Sequence, residues 1–297
     1  MKILITGGSG LIGSNLIPFL RPCDITVYTR NVATAEKILG SNIQFLSSLS
    51  HLSNLDDFHV VINLAGEPIA AKKWTNEQKQ KIEHSRWSIT EEIVTLIKAG
   101  KTPPKLLISG SAIGFYGRQQ DQVIDEDFTS SHDEFSHTLC ERWESLAKQA
   151  QSDKTRVCIL RTGVVITKRG GALLKLLMPF KLGLGGPIGN GQQYMSWIHL
   201  EDMLRGITHL INHESCEGVY NFTAPNPVTN EEFSRELASA LSRPCLFRVP
   251  KFILRTMMGE MADLILYGQR VVPKRLQESG YEFVYPEVSQ AFECLKK

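Results

Sequence analysis

The sequence predicts an α/β protein: a Rossmann-type, doubly wound parallel sheet carrying a smaller, mostly helical C-terminal substrate domain. Three observations predict it. The chain opens on an apolar run that breaks into closely spaced glycines, Lys2-Ile-Leu-Ile-Thr-Gly-Gly-Ser-Gly-Leu-Ile-Gly13. Short apolar segments then alternate with helical patterns through the first two-thirds of the chain, and continuous apolar strands separated by helices mean a parallel sheet covered on both faces. From Gly170 onward the character changes to a Gly-rich excursion and further helices, placing a second unit over the carboxyl edge of the sheet, where ligands of open α/β folds bind.

The opening segment reads as strand, phosphate turn and helix start. Gly8, Gly10 and Gly13 match G-x-G-x-x-G, while Gly7, Gly10 and Gly13 match the looser G-x-x-G-x-x-G. Residues without Cβ permit a tight turn, close approach of a pyrophosphate to backbone N–H groups, and close helix-on-strand packing. The helical pattern Leu11, Ile12, Leu16, Ile17, Leu20 that follows is the context the motif requires; Pro18 should shorten or kink that helix. Gly7, Gly10, Leu11, Ile12 and Gly13 are therefore candidate cofactor-binding residues. The second strand, Ile25–Tyr28, ends beside the expected adenosine ribose at Thr29 and Arg30. An acidic residue there would bind a 2′-OH, whereas a guanidinium suits a 2′-phosphate, so NADP(H) is the expected cofactor. The alternative is a solvated Arg at a strand end.

Further strands are expected at Ile43–Leu46, Val60–Leu64, Leu106–Ser109, Val157–Leu160 and Val219–Phe222, with helices from Glu77 to about Ala99 and from about Glu134 to Ala150. Leu173–Pro179 reads as a helix. The stretch Leu182–Gln193 holds five glycines and a proline and reads as a loop. Helices follow at Asn230–Leu241 and Lys251–Met258, then Tyr281-Glu-Phe-Val-Tyr-Pro-Glu287. The expected domains are 1–168 plus about 196–224 for the nucleotide, and about 169–195 plus 225–297 on the substrate side.

Lys and Arg number 33 against 31 Asp and Glu, a formal net charge of +2. The cations are scattered along the sequence, which implies neither nucleic acid nor an anionic membrane as partner and leaves a small-molecule substrate. No window approaches twenty uninterrupted apolar residues, and the N-terminus enters the nucleotide fold directly with no room for a signal peptide, so a cytoplasmic location is expected. The six cysteines (Cys23, Cys140, Cys158, Cys216, Cys245, Cys294) form no C-x-x-C, so they are expected to be reduced and mostly structural, with no metal site. Composition leaves the oligomeric state open.

Two strand ends carry the chemistry. Val60-Val-Ile-Asn-Leu-Ala-Gly66 finishes in small residues, so Leu64, Ala65 and Gly66 let the nicotinamide side of a dinucleotide lie close to the backbone. Leu106-Leu-Ile-Ser-Gly-Ser-Ala-Ile-Gly-Phe-Tyr-Gly117 ends in Ser109 and Ser111 before an aromatic-Gly turn. This order resembles the extended short-chain dehydrogenase/reductase superfamily, whose fifth-strand serine hydrogen-bonds the reacting carbonyl or hydroxyl, and Ser111 matches that serine. The other reading of Ser111 is a hydroxyl capping the next turn.

Asn63-Leu-Ala-Gly-Glu-Pro-Ile69, Ser85-Arg-Trp87, Leu160-Arg-Thr-Gly-Val-Val165, the run from Pro179 through Gly185-Gly-Pro-Ile-Gly189 to His199, and Gly268-Gln-Arg-Val-Val-Pro273 resemble the YfcH-type "epimerase family" proteins. These are atypical superfamily members with their own C-terminal domain, and the resemblance spans essentially the whole chain. It implies an NADP(H)-binding fold acting as an oxidoreductase or epimerase on a small polar substrate, sugar- or nucleotide-linked ones included. The alternative is a catalytically silent NADPH-binding regulatory or sensor protein. The resemblance also brings Val165 to the cofactor edge. It places the helix after Glu77 there too, with Lys81 and Arg86 as phosphate contacts or, for Lys81, part of a solvated face.

In active superfamily members a helix presents Tyr-x-x-x-Lys, in which Lys lowers the tyrosine pKa and the tyrosine transfers the proton. The corresponding helix here reads Phe135-Ser-His-Thr-Leu-Cys-Glu-Arg-Trp-Glu144. Counting back from Glu144 puts Ser136 and Cys140 at those places, and counting from Phe135 gives Phe and Leu. Substitutes are Glu67 beside the nicotinamide pocket, Tyr116 near Ser111, His137 titrating near neutrality, and Cys140 as a nucleophile. Each has a plainer reading, namely packing for Tyr116, a surface position for His137 and an unactivated thiol for Cys140. Arg161 at a buried strand end either binds an anionic substrate or pairs with a carboxylate. Trp74, Trp87 and Trp197 read as packing, and Asp202 as structural.

Overall fold

The computed structural model describes residues 1–293 and 295; Cys294, counted above among the structural thiols, lies outside the described residues. Seven strands, β1 (Lys2–Thr6), β2 (Asp24–Tyr28), β3 (Gln44–Leu46), β4 (Val60–Asn63), β5 (Leu106–Ala112), β6 (Arg156–Thr162) and β7 (Gly218–Phe222), form one parallel sheet in the order β3-β2-β1-β4-β5-β6-β7. Strand order reverses between β1 and β4, whose ends pair Thr6 with Asn63, so a crevice opens at that point.

The two faces follow from the period of two along each strand. Ile3, Ile5, Val27, Ile62, Ile108 and Leu160 point to the side covered by α1 (Leu11–Leu16) and a later helix, Leu200–Asn212, which buries Met203, Leu204 and Ile207 against them. Leu4, Val61, Leu107 and Ile159 point to the other side, where Ile93 and Ile97 of the long helix Asn76–Lys98 meet them. Both faces being covered explains why these strands read as continuous apolar runs.

Local signals account for the element ends. Pro18 falls in a single 3₁₀ turn, Ile17–Leu20, that continues α1 with tighter geometry. A helix not expected from the sequence, α2 (Val32–Leu39), starts where Asn31 accepts a hydrogen bond from the Thr34 N–H. The helix α3 (Asn76–Lys98) is capped by Thr75, and α4 (Phe135–Lys148) follows the aromatic turn. Beyond β6 come α5 (Gly171–Lys181), α6 (Leu200–Asn212), α7 (Asn230–Ala240) and α8 (Lys251–Met258).

A separate core gathers Leu173, Leu177 and Phe180 of α5 with Phe233 and Leu237 of α7, Trp197 and Phe292. The last segment returns to the nucleotide side, with Leu276 and Tyr281 sharing the core of α6. Buried Asp202 anchors it, accepting from Tyr281 Oη (2.8 Å), Val284 N (2.8 Å) and Tyr285 N (2.9 Å). Its role is the structural one expected. Trp197 is wholly buried, also as expected.

Candidate functional site

A cavity of about 410 Å³ opens at the carboxyl ends of β1, β2 and β4. Its walls are Gly7, Ser9, Gly10, Tyr28, Thr29, Arg30, Leu64, Ala65 and Gly66 from the strand ends, and His84, Ser85, Ser88, Ile89 and Glu92 from α3. The turn after β1 exists because Gly7 adopts φ +69°, and a Cβ there would sit 2.5 Å from the Leu64 carbonyl oxygen. Gly10 N–H donates to Gly7 O at 3.0 Å and closes the turn. At Gly13 a Cβ would lie 2.5 Å from Gly7 O, so α1 packs directly on the turn.

A chain of buried hydrogen bonds holds the walls in register. Thr6 Oγ1 donates to Asn63 Oδ1 (2.6 Å), Asn63 Nδ2 donates to Thr90 Oγ1 (2.8 Å), and Trp143 Nε1 donates to the same hydroxyl (3.0 Å). β1, β4, α3 and α4 are thereby linked beneath the cavity. Near the end of β2 the cavity is lined by the cation Arg30 and the carboxylate Glu92. Burial raises the Tyr28 pKa, Glu92 raises it further, and Arg30 opposes them.

Seven of the sequence-derived cofactor residues meet in this cavity: Gly7, Gly10, Thr29, Arg30, Leu64, Ala65 and Gly66. Six do not line it. Gly13 backs the turn, Leu11 packs on Gly170 and Gly171, Ile12 joins the core beneath, and Val165 pairs with Ile198 in a short parallel ladder. Lys81 is directed to Glu77, one turn back along α3, on an exposed face. Arg86 turns inward, donating to Glu67 O (3.0 Å) and Ile82 O (3.1 Å). A Cβ on Gly66 would come within 2.8 Å of its Cζ, so Arg86 shapes the floor from behind the backbone. The sequence reading put this helix at the cofactor edge but chose Lys81 and Arg86 where His84, Ser88 and Glu92 line the cavity. The signal for these three was their i, i+4 recurrence, with His84 Nδ1 and Ser88 Oγ hydrogen-bonded at 2.9 Å.

Past Gly66 the catalytic candidates separate. Ser111 is buried and its hydroxyl donates to Glu144 Oε1 at 2.8 Å. The same carboxylate receives Arg161 Nε and Nη2, each at 2.8 Å, and the Arg161 guanidinium lies 3.4 Å from the Phe115 ring centroid. Of the two readings of Arg161, the structure therefore has it paired with a carboxylate. Because a hydroxyl has one proton, Ser111 in this arrangement offers a ligand only lone pairs.

Tyr116 is fully buried, with its hydroxyl donating to Asn221 Oδ1 at 2.8 Å and burial raising its pKa, so it packs the core and does not reach the cavity. His137 Nδ1 donates to the Phe115 carbonyl and its ring packs 5.5 Å from the Phe115 ring. The Glu67 N–H donates to Ser85 Oγ at 2.8 Å, which keeps that residue at the cavity rim. Cys140 is buried and its thiol is pushed up to about 12 by burial and by Glu144, so it stays protonated and is no nucleophile.

At Ser136, one of the two places counted above for the tyrosine, the hydroxyl donates to Glu134 Oε1 at 2.7 Å, and Arg118 Nε donates to Glu134 Oε2 at 2.9 Å. Glu134, Arg118, Trp74 and Phe135 face Glu260, Asp263 and Leu264 across a second, small cavity. Glu134 and Arg118 went unread because nothing in their sequence spacing announces a pairing made through the fold.

Comparison with known proteins places this geometry. A family model described as "NAD dependent epimerase/dehydratase family" matches residues 3–222, and one described as a domain of unknown function (DUF1731) matches residues 249–295. The chain is 38% identical over 303 residues to "Epimerase family protein SDR39U1 homolog, chloroplastic" of Arabidopsis thaliana, covering 99% of this chain and 86% of that one. It is 36% identical over 294 residues to an epimerase family protein of Staphylococcus saprophyticus, covering 98% of each. The crystal structure of human epimerase family protein SDR39U1 (isoform 2) with NADPH superposes with a TM-score of 0.92 at 31% identity, covering 100% of this chain and 99% of that one. A UDP-glucuronic acid 4-epimerase from Bacillus cereus with NAD shares the fold, with a TM-score of 0.76 at 17% identity over 100% of this chain and 96% of that one.

Proposed function

Because this chain belongs to the NAD dependent epimerase/dehydratase family, we propose that it binds NADP(H) in the cavity between the glycine turn and α3, with Arg30 receiving the 2′-phosphate. The supporting observation is the Gly7 turn seated on Leu64, with Arg30 on the far wall of the same 410 Å³ space. A relative at 31% identity was crystallised with NADPH. The proposed activity is hydride exchange with a small polar substrate, sugar- or nucleotide-linked ones included. A bound nicotinamide would supply the hydride chemistry. Gly66 leaves room for the ring end, and Ser111 accepts a hydrogen bond from a substrate hydroxyl while its own O–H remains donated to Glu144. No Tyr-x-x-x-Lys pair takes part.

A second reading, an NADPH-binding regulatory or sensor protein, is supported by the chemistry of the helix Phe135–Glu144: neither register supplies Tyr and Lys, and the one counted back from Glu144 offers a thiol held protonated at Cys140 and a hydroxyl bound to Glu134 at Ser136. Calorimetric titration with NADPH and NADH tests the binding, and nicotinamide absorbance across a panel of carbonyl compounds and sugar nucleotides tests the reaction. NADPH binding with turnover of any panel member supports the enzyme. Tight NADPH binding without turnover moves the assignment to the sensor, and no binding of either dinucleotide sinks both.

A further inference from the structure

Cations that are scattered along the sequence gather on one apolar face of the fold. Among the described residues, nine of the fifteen exposed large apolar side chains belong to two segments, 171–185 and 243–258. Neither segment contains an Asp or Glu, whereas Lys181, Arg243, Arg248, Lys251 and Arg255 fall within them. The second segment runs beside residues 187–189, which lie just beyond the end of the first. Val249 N donates to Pro187 O (2.8 Å), Gly189 N donates to Val249 O (2.9 Å), and the Arg248 guanidinium donates to Gly189 O (3.3 Å). Leu184, 58% exposed, and Leu246, 79% exposed, therefore stand on adjoining loops. The face continues into α8, which packs Leu254 and Met258 against Ile188, Ala262 and Leu266 and leaves Phe252 at 69% exposure.

We propose that this face docks onto an anionic lipid bilayer. The charge pattern selects that occupant. Arg248 and Arg255 are ion-paired with Glu231 and Asp263, but Lys181, Arg243 and Lys251 have no carboxylate partner among the described residues. Pairing the face with a second copy of itself would oppose these like charges, whereas phosphate headgroups neutralise them while Leu246 and Phe252 enter the acyl boundary. No helix among the described residues is long and apolar enough to cross a membrane, so the contact lies on the surface.

Co-sedimentation of the full chain with vesicles of equal parts phosphatidylglycerol and phosphatidylcholine, and of phosphatidylcholine alone, tests this. Binding to the mixed vesicles only is expected, weakening by about tenfold or more in Lys181→Gln/Lys251→Gln and on raising salt. Leu246→Glu/Phe252→Glu should abolish it with melting temperature and NADPH affinity unchanged, which separates this proposal from the cofactor site. Failure to bind the mixed vesicles overturns it, as does equal binding by the Glu variant. A lipid-free dimer in sedimentation velocity that Leu246→Glu/Phe252→Glu dissolves would assign the face to a second copy and overturn it as well.

Discussion

Replacing Ser111 with Ala separates a reacting serine from a structural one. Its hydroxyl donates to Glu144 Oε1 at 2.8 Å, with Ser111 6% and Glu144 1% exposed. A hydrogen bond to a charged group contributes about 1.5–3 kcal/mol. Glu144 keeps both Arg161 contacts in the variant, so the carboxylate is not orphaned and the loss falls low in that range, about 1.5–2 kcal/mol. For a chain of this size that lowers the melting temperature by roughly 2–3 °C. Scanning calorimetry of cofactor-free Ser111→Ala measures it. The same substitution in a Glu144→Gln background should lose much of its effect, because a neutral acceptor holds the hydroxyl more weakly. A Ser111→Ala protein that melts with the wild type would refute the claim that this proton is committed to Glu144, and would return Ser111 to the role of a donor to substrate.

Gly7→Ala should abolish dinucleotide binding in calorimetry, since the new Cβ would stand 2.5 Å from Leu64 O at φ +69°; binding within a few-fold of wild type would contradict the turn assignment. Glu92→Gln should tighten NADPH several-fold by removing a carboxylate from the cavity that Arg30 also lines, and weaker binding would assign Glu92 a direct contact. Burial holds His199 and His209 below the ordinary value of 6.5. On acidification through that value the unfolded chain takes up protons that the folded chain refuses, so stability is full above 6.5 and declines below it. Urea midpoints at successive pH values should fall on the acid side, less steeply in His209→Gln, and an unchanged slope in that variant would remove His209 from the account.

What the sequence made legible was whatever a local pattern encodes. The strand–Gly–helix run named β1, its turn and α1, and the apolar runs named the other sheet strands within about three residues of their ends. Pairings made by the fold were not legible. Nothing in the spacing of residues 111, 144 and 161 shows that one carboxylate collects a serine and an arginine, yet that cluster decides which way the Ser111 proton points. The α3 wall was half legible. Arg86 stood out as a cation beside Trp87, but the helix turns it inward and presents His84, Ser88 and Glu92 to the cavity instead. Tyr116 followed the same logic, its proximity to Ser111 along the chain leading to opposite surroundings because residues 113–116 form a 3₁₀ turn that buries the ring.

The central claim, that this cavity holds NADP(H) through the glycine turn and Arg30, is tested most directly by titrating wild type and Arg30→Asp with NADPH and NADH in a calorimeter. The account predicts that wild type prefers NADPH by about tenfold or more, roughly 1.4 kcal/mol, and that Arg30→Asp narrows or inverts the preference while leaving NADH binding in place. Equal affinity of wild type for the two dinucleotides, or an NADPH preference that survives Arg30→Asp, would contradict it.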